Sequence, residues 1–153
     1  MEFTYHAKYM HQSLLLAQKA ADEGEIPVGA LVVHNNKIIG KGYNQVEMLK
    51  DPTAHAEMLA ISAACATIET KYLLDCTLYV TLEPCPMCAG AIVHSKLKRL
   101  VFGATDDKAG GCGSIFNIVE NKRLNHQVEV VQGVLEADCS ALLKSFFKKL
   151  RTD

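Results

Sequence analysis

No apolar run in the sequence approaches the roughly 20 residues that a helical membrane span requires, and no signal peptide opens the chain. Nor is there an excess of charge of either sign: 16 Lys and Arg stand against 17 Asp and Glu, a net charge of −1. That balance removes any general electrostatic pull on nucleic acid, so an RNA-binding surface would have to be local. Repeats, linkers and low-complexity stretches are absent as well. The six cysteines do not form the dense framework of a small secreted domain, which points to a reducing cytoplasm. What remains is ordinary: 49% hydrophobic and 22% charged residues suit one globular domain, residues 1–153, with a single buried core.

Two short stretches carry chemistry: His55-Ala56-Glu57, and Glu83-Pro84-Cys85-Pro86-Met87-Cys88. One imidazole and two thiolates give zinc three protein ligands and leave its fourth tetrahedral position to water, as in a catalytic site. Such a water is acidified towards neutral pH. Glu57, two residues after His55, is close enough to reach it as a general acid/base. The spacing has a structural reason. Cys85 and Cys88 are three apart, so one helical turn puts both sulfurs on one face. Pro84 and Pro86 suit a helix start, where free N–H groups and the helix dipole favour thiolates. Pro52-Thr53 signals a second helix start just before His55. A Cys-x-x-Cys pair is also found in structural zinc knuckles and redox dithiols. A knuckle needs a second pair, but Cys65, Cys76, Cys112 and Cys139 stand singly; a redox pair leaves His55 and Glu57 unexplained. The combined His-x-Glu and Pro-Cys-x-x-Cys pattern is the signature of the zinc nucleobase deaminases.

Along nearly its whole length the chain resembles the bacterial tRNA-specific adenosine deaminases. The zinc motifs are specific for the wider cytidine-deaminase superfamily. The flanks point to the tRNA branch: Glu25-Ile26-Pro27-Val28-Gly29-Ala30, Asp51-Pro52-Thr53 ahead of His55, Thr77 to Leu82 ahead of Glu83, Phe102-Gly103-Ala104 and Phe146-Phe147. The resemblance implies one zinc per subunit, a homodimer and an anticodon stem-loop of tRNA as partner. It implies hydrolytic deamination of the wobble adenosine to inosine, with His55, Cys85 and Cys88 on the metal and Glu57 moving protons. It further implies that Asn44 hydrogen-bonds the flipped base, that Asp106 and Lys108 touch flanking nucleotides, and that Phe147 and Arg151 meet RNA.

Each of these outer residues also has a plainer reading. Asn44 ends a strand, where Asn is a common turn residue. Asp106 and Lys108 would be solvated loop charges. Leu142, Leu143, Phe146, Phe147 and Leu150 recur at helical spacing, and most of such a stripe is expected in the core. Lys144, Lys148, Lys149 and Arg151 would line the solvated face, although aromatics beside basic residues are also what single-stranded RNA needs. Glu83 reads as a helix-start group rather than a second base. The remaining histidines, His6, His11, His34, His94 and His126, suit surface or satisfied core positions, and Cys112 and Cys139 read as small apolar residues or free thiols. Two rivals stand beside the tRNA reading: a deaminase of free bases such as guanine or cytosine, and a non-catalytic zinc-containing RNA-binding subunit. Glu57 speaks against the second, because a structural site has no use for a base there.

Periodicity places helices at 5–23, 56–68, 87–95 and 138–150, with a short one possible at 115–120. Strands are expected at 28–34, 37–43, 77–82, 99–102 and 129–131, and Asn35-Asn36 suits a tight hairpin turn. Residues 104–114 read as a Gly-rich loop. The alternation gives an α/β fold, a three-layer αβα sandwich on a mixed five-stranded sheet. The first two strands should be antiparallel and those joined through helices parallel; the cytidine-deaminase-like resemblance implies that the fourth and fifth also run parallel.

Overall fold

Strand-forming runs of Val, Leu, Ile and Tyr build the sheet onto which every long helix packs. The computed structural model describes residues 2–152. In chain order these form α1 (Glu2–Asp22), β1 (Gly29–His34), β2 (Lys37–Tyr43), α2 (Val46–Leu49), α3 (Ala56–Ile68), β3 (Thr77–Leu82), α4 (Pro86–His94), β4 (Arg99–Ala104), β5 (Glu129–Gln132) and α5 (Glu136–Thr152). The strand order is β2-β1-β3-β4-β5. β1 pairs antiparallel with β2 and β3, while β3–β4 and β4–β5 are parallel. Asn35 and Asn36 take left-handed φ of 50° and 62° in the β1–β2 turn, the conformation that Asn tolerates best after Gly.

Alternate strand residues feed two cores. On one face Ala30, Val32, Leu78, Val80, Leu100 and Phe102 meet α3 and α4 through Ala56, Ala60, Ala64, Ala89 and Ile92. On the other, Leu31, Val33, Tyr79 and Val101 meet α1 and α5 through Tyr9, Met10 and Cys139. The fold is thus the expected αβα sandwich. Among the described residues no helix is long and apolar enough to cross a membrane. His6 sits in the second core with its Nδ1 2.7 Å from the Tyr79 hydroxyl, and His126 Nε2 lies 2.6 Å from the Leu97 carbonyl. Cys112 and Cys139 are buried free thiols.

Three expectations need correction. Residues 115–120 form no helix: the N–H groups of Ile115 and Phe116 both turn back to the Gly110 carbonyl, and Cys112 pairs with Asn117 in an isolated bridge. The short α2 appears where none was expected. The apolar stripe of α5 is mostly not core. Only Cys139 of that helix is fully buried, while Phe147 is 37% exposed and Leu150 62%. The last turns of α5 lie over a cavity instead of over the sheet.

Candidate metal centre and substrate cavity

Small residues bring the first helix start down onto the sheet. A Cβ on Gly40 would stand 2.5 Å from the Ala60 carbonyl oxygen and from the Ala64 nitrogen, and one on Gly42 would collide with the Ala56 carbonyl. Strand β2 can therefore take the Ala56-Ala60-Ala64 face of α3 against its bare backbone. This close seat fixes His55, the residue capping α3 in an extended conformation. Cys85 caps α4 in the same way, with Pro86 in the first turn and Cys88 one turn on.

The two helix starts converge. His55 Nδ1 lies 3.6 Å from the Sγ of Cys85 and 3.6 Å from that of Cys88, and the three donor atoms all fall within 4.8 Å of one another. Zinc bonds of about 2.3 Å to sulfur and about 2.05 Å to nitrogen, at a tetrahedral angle, set N and S about 3.6 Å apart. The donor set and its spacing fit that ion. The S–H of Cys88 and the nearby imidazole hold the Cys85 thiol down at about 4, which favours its thiolate form. The Cys88 thiol is pushed up by Cys85, by burial and by the charge of Glu57. The bond to Cys85 raises His55 against the opposing effect of burial.

Glu57 lies inside the first turn of α3, 4% exposed. Burial pushes its carboxyl up to about 7, against the pull of its own backbone N–H and of His55. A carboxyl balanced near neutrality can both take and return a proton. Glu57, His55 and Cys85 open on a cavity of about 600 Å³, walled by Glu25, Val28, Asn44, Leu82 and Asp106 and covered by Phe146, Phe147 and Leu150 of α5.

Asn44 is 8% exposed on that wall. Its Nδ2 donates to the Ile26 carbonyl at 3.3 Å and its Oδ1 accepts from the Val46 N–H at 3.3 Å, so the amide serves as a turn clamp and still faces the cavity. Asp106 Oδ1 accepts from the N–H groups of Lys108 and Ala109, both at 3.1 Å. Asp106 and Phe147 line the cavity and also an adjoining outer groove of about 700 Å³, which they share with Ile26 and Leu82. Lys108 and Arg151 line the outer groove alone, together with Lys144.

Two buried carboxylates carry more than the sequence suggested. Glu25, 1% exposed, accepts the N–H groups of Glu47 and Met48 at 2.9 and 2.8 Å and so holds the start of α2 beside the cavity. Glu83 does not cap α4, whose start receives no side-chain cap. Its partners lie instead in the loop after β4. Burial alone would raise the Glu83 carboxyl, but bonds from Ser114, Asp106 and Cys112 outweigh it and hold the group below the usual range. The signal available for Glu83 was a Glu-Pro step ending a strand, with a Gly-Gly pair downstream that allows close backbone approach.

Fold and donor group define a class, the cytidine-deaminase-like deaminases, and the model of the MafB19-like deaminase family matches residues 4–151. Within that class the chain belongs to the family of tRNA-specific adenosine deaminases. It is 51% identical over 145 residues to the tRNA-specific adenosine deaminase of Aquifex aeolicus, covering 95% of each chain. To that of Bacillus subtilis it is 49% identical over 143 residues, 94% of this chain and 89% of the other. A structure from a study of A-to-I editing by tRNA:A34 deaminases at the wobble position of transfer RNA superposes with a TM-score of 0.86 at 35% identity, over 89% of this chain and 99% of that one. The guanine deaminase from Nitrosomonas europaea superposes with a TM-score of 0.79 at 28% identity, over 90% and 81%.

Proposed function

We propose that this protein hydrolyses the wobble adenosine of a tRNA anticodon loop to inosine, in the cytoplasm where that substrate is found. His55, Cys85 and Cys88 would hold one zinc ion, whose chemistry when bound is to lower the pKa of a coordinated water. Glu57 takes a proton from the attacking water and delivers it to the ring nitrogen beside C6. It then passes the remaining hydroxyl proton to the amine, so that C6 gains oxygen and loses ammonia. The cavity wall at Asn44 offers amide edges to a purine, and the anticodon base is unpaired already, which makes splaying it out cheap.

The observation that carries the tRNA reading over a free-base reading is the outer groove. The inner cavity, at about 600 Å³, has ample room for one base, and it continues past Asp106 and Phe147 into a second space rimmed by Lys108, Lys144 and Arg151. Cations and an aromatic ring beside a base pocket suit the phosphates and bases on either side of a flipped nucleotide. A homodimer is supported by α3 and α4, which are strongly apolar, with Met58, Met87 and Val93 still only half-buried, and by Ile115 and Phe116 exposed in the loop between β4 and β5.

The guanine deaminase likeness gives the runner-up its weight, since the same fold serves a free base in that protein. Comparing turnover of an anticodon stem-loop with turnover of free guanine, cytosine and adenosine separates them. The stem-loop should be preferred by orders of magnitude; faster guanine conversion would overturn the proposal.

A further inference from the structure

We infer that Glu83 is a positioning residue for the substrate loop: its buried carboxylate gathers residues 106–114 and thereby sets where Asp106 stands on the cavity wall. The inference rests on the deaminase reading for its substrate half and on geometry alone for the rest.

Glu83 is 2% exposed, at the end of β3 and directly before Pro84. Its Oε1 accepts from the Asp106 N–H at 3.0 Å and from the Ser114 hydroxyl at 2.5 Å. Its Oε2 accepts from the N–H groups of Cys112 and Ser114 at 3.1 and 3.0 Å. All these donors come from one loop, from its first residues and from its last. The loop backbone comes down onto the same segment. Gly111 N–H donates to the Pro84 carbonyl at 2.7 Å. A Cβ on Gly111 would stand 2.9 Å from Cys85 carbon, and one on Gly110 would strike the Glu83 carboxylate.

The carboxylate also borders a second pocket of about 450 Å³, lined by Ser114, Asn117, Glu120 and Gln132 together with Cys112 and Val130. Cys112 is buried in the first core, and the carboxylate gathers the N–H groups of the loop around that anchor. Asp106 is oriented from within the loop, by the Lys108 and Ala109 N–H groups on its Oδ1. The chain of placement therefore runs from β3 through Glu83 to the loop and on to Asp106. A Gln at position 83 would offer one acceptor oxygen, and its NH₂ would face backbone N–H donors. The buried donors left without an acceptor would release the loop.

The test uses the full-length, zinc-loaded protein as Glu83→Gln and Ser114→Ala. Zinc content, amide hydrogen exchange over residues 106–114, and KM and kcat on an anticodon stem-loop are measured. In Glu83→Gln, exchange at Asp106, Cys112 and Ser114 should quicken at least tenfold with zinc retained. KM should rise by a larger factor than kcat falls, and the KM effect should largely vanish in an Asp106→Ala background. Ser114→Ala, which removes one donor and no charge, should move both readouts in the same direction by less. Unchanged exchange in both variants overturns the anchor. Faster exchange with unchanged KM overturns the substrate half. Should Glu83→Gln lose its zinc, Ser114→Ala decides: quickened exchange with raised KM supports the inference, and unaltered values sink it. A wild-type protein that leaves the stem-loop unconverted defeats the deaminase reading, while the exchange result still judges the anchor.

Discussion

His55 Nδ1 stands 3.6 Å from the Sγ of Cys88, a residue 33 positions further along the chain and on a different helix. With Cys85 at the same distance, both nitrogen–sulfur edges match those of a tetrahedral zinc site. Purified protein should carry about one zinc per chain by elemental analysis. The double variant Cys85→Ala, Cys88→Ala should carry none. Because a bound ion stabilises only the folded chain, chelation should also lower the melting temperature. Zinc retained by the double variant would place the metal elsewhere.

Glu57 is the second expectation. Replacing it by Gln keeps the shape of a buried side chain but removes the proton carrier. Turnover should fall by roughly 10²–10⁴-fold, the usual share of a general acid/base, while zinc content and melting temperature stay close to wild type. Activity within a few-fold of wild type would show that protons travel by another path.

Gly42 tests how the fold seats the metal. A methyl group there meets the Ala56 carbonyl and stands 2.7 Å from the Ala60 nitrogen. Such overpacking costs about 1–3 kcal/mol and would lift the start of α3, where His55 sits. Gly42→Ala should therefore melt early and bind zinc more weakly, both read on one sample. At Gly90 a Cβ meets nothing within 4 Å, so Gly90→Ala should keep its metal.

The sheet, its order of elements and the three donors were legible because each follows from local pattern. Alternating apolar residues mark strands, and a Cys-x-x-Cys behind proline marks a helix start whatever surrounds it. The missed features depend on distant partners. Glu83 finds its acceptor role 23, 29 and 31 residues downstream, in a loop without periodicity. Helix α5 has the apolar spacing of a core helix, yet spacing cannot say that its last turns overhang a cavity. The sequence allows Asn44 to be a turn residue or a base contact; its amide clamps Ile26 and Val46 and also faces the cavity.

That overhang sharpens what Phe147 and Arg151 should do. Phe147 is 37% exposed at the junction of cavity and groove, so truncation should cost far less stability than a core Phe. Phe147→Ala should instead weaken stem-loop binding by about 1–3 kcal/mol, the worth of one stacked base. Arg151→Ala should lower affinity and reduce the salt slope by about 0.7, one phosphate contact on a single strand. Binding isotherms at several salt concentrations, with melting curves on the same proteins, check both. An early melt for Phe147→Ala with normal binding would return the helix to a packing role.

Hydrolysis of an adenosine amine within RNA can be followed in a single-turnover reaction. Zinc-loaded protein in excess is mixed with an anticodon stem-loop bearing adenosine at the wobble position, and inosine and ammonia are quantified together. The wobble adenosine alone should become inosine, with one ammonia released per inosine formed. A stem-loop that binds the zinc-loaded protein and keeps its adenosine would contradict the proposed reaction.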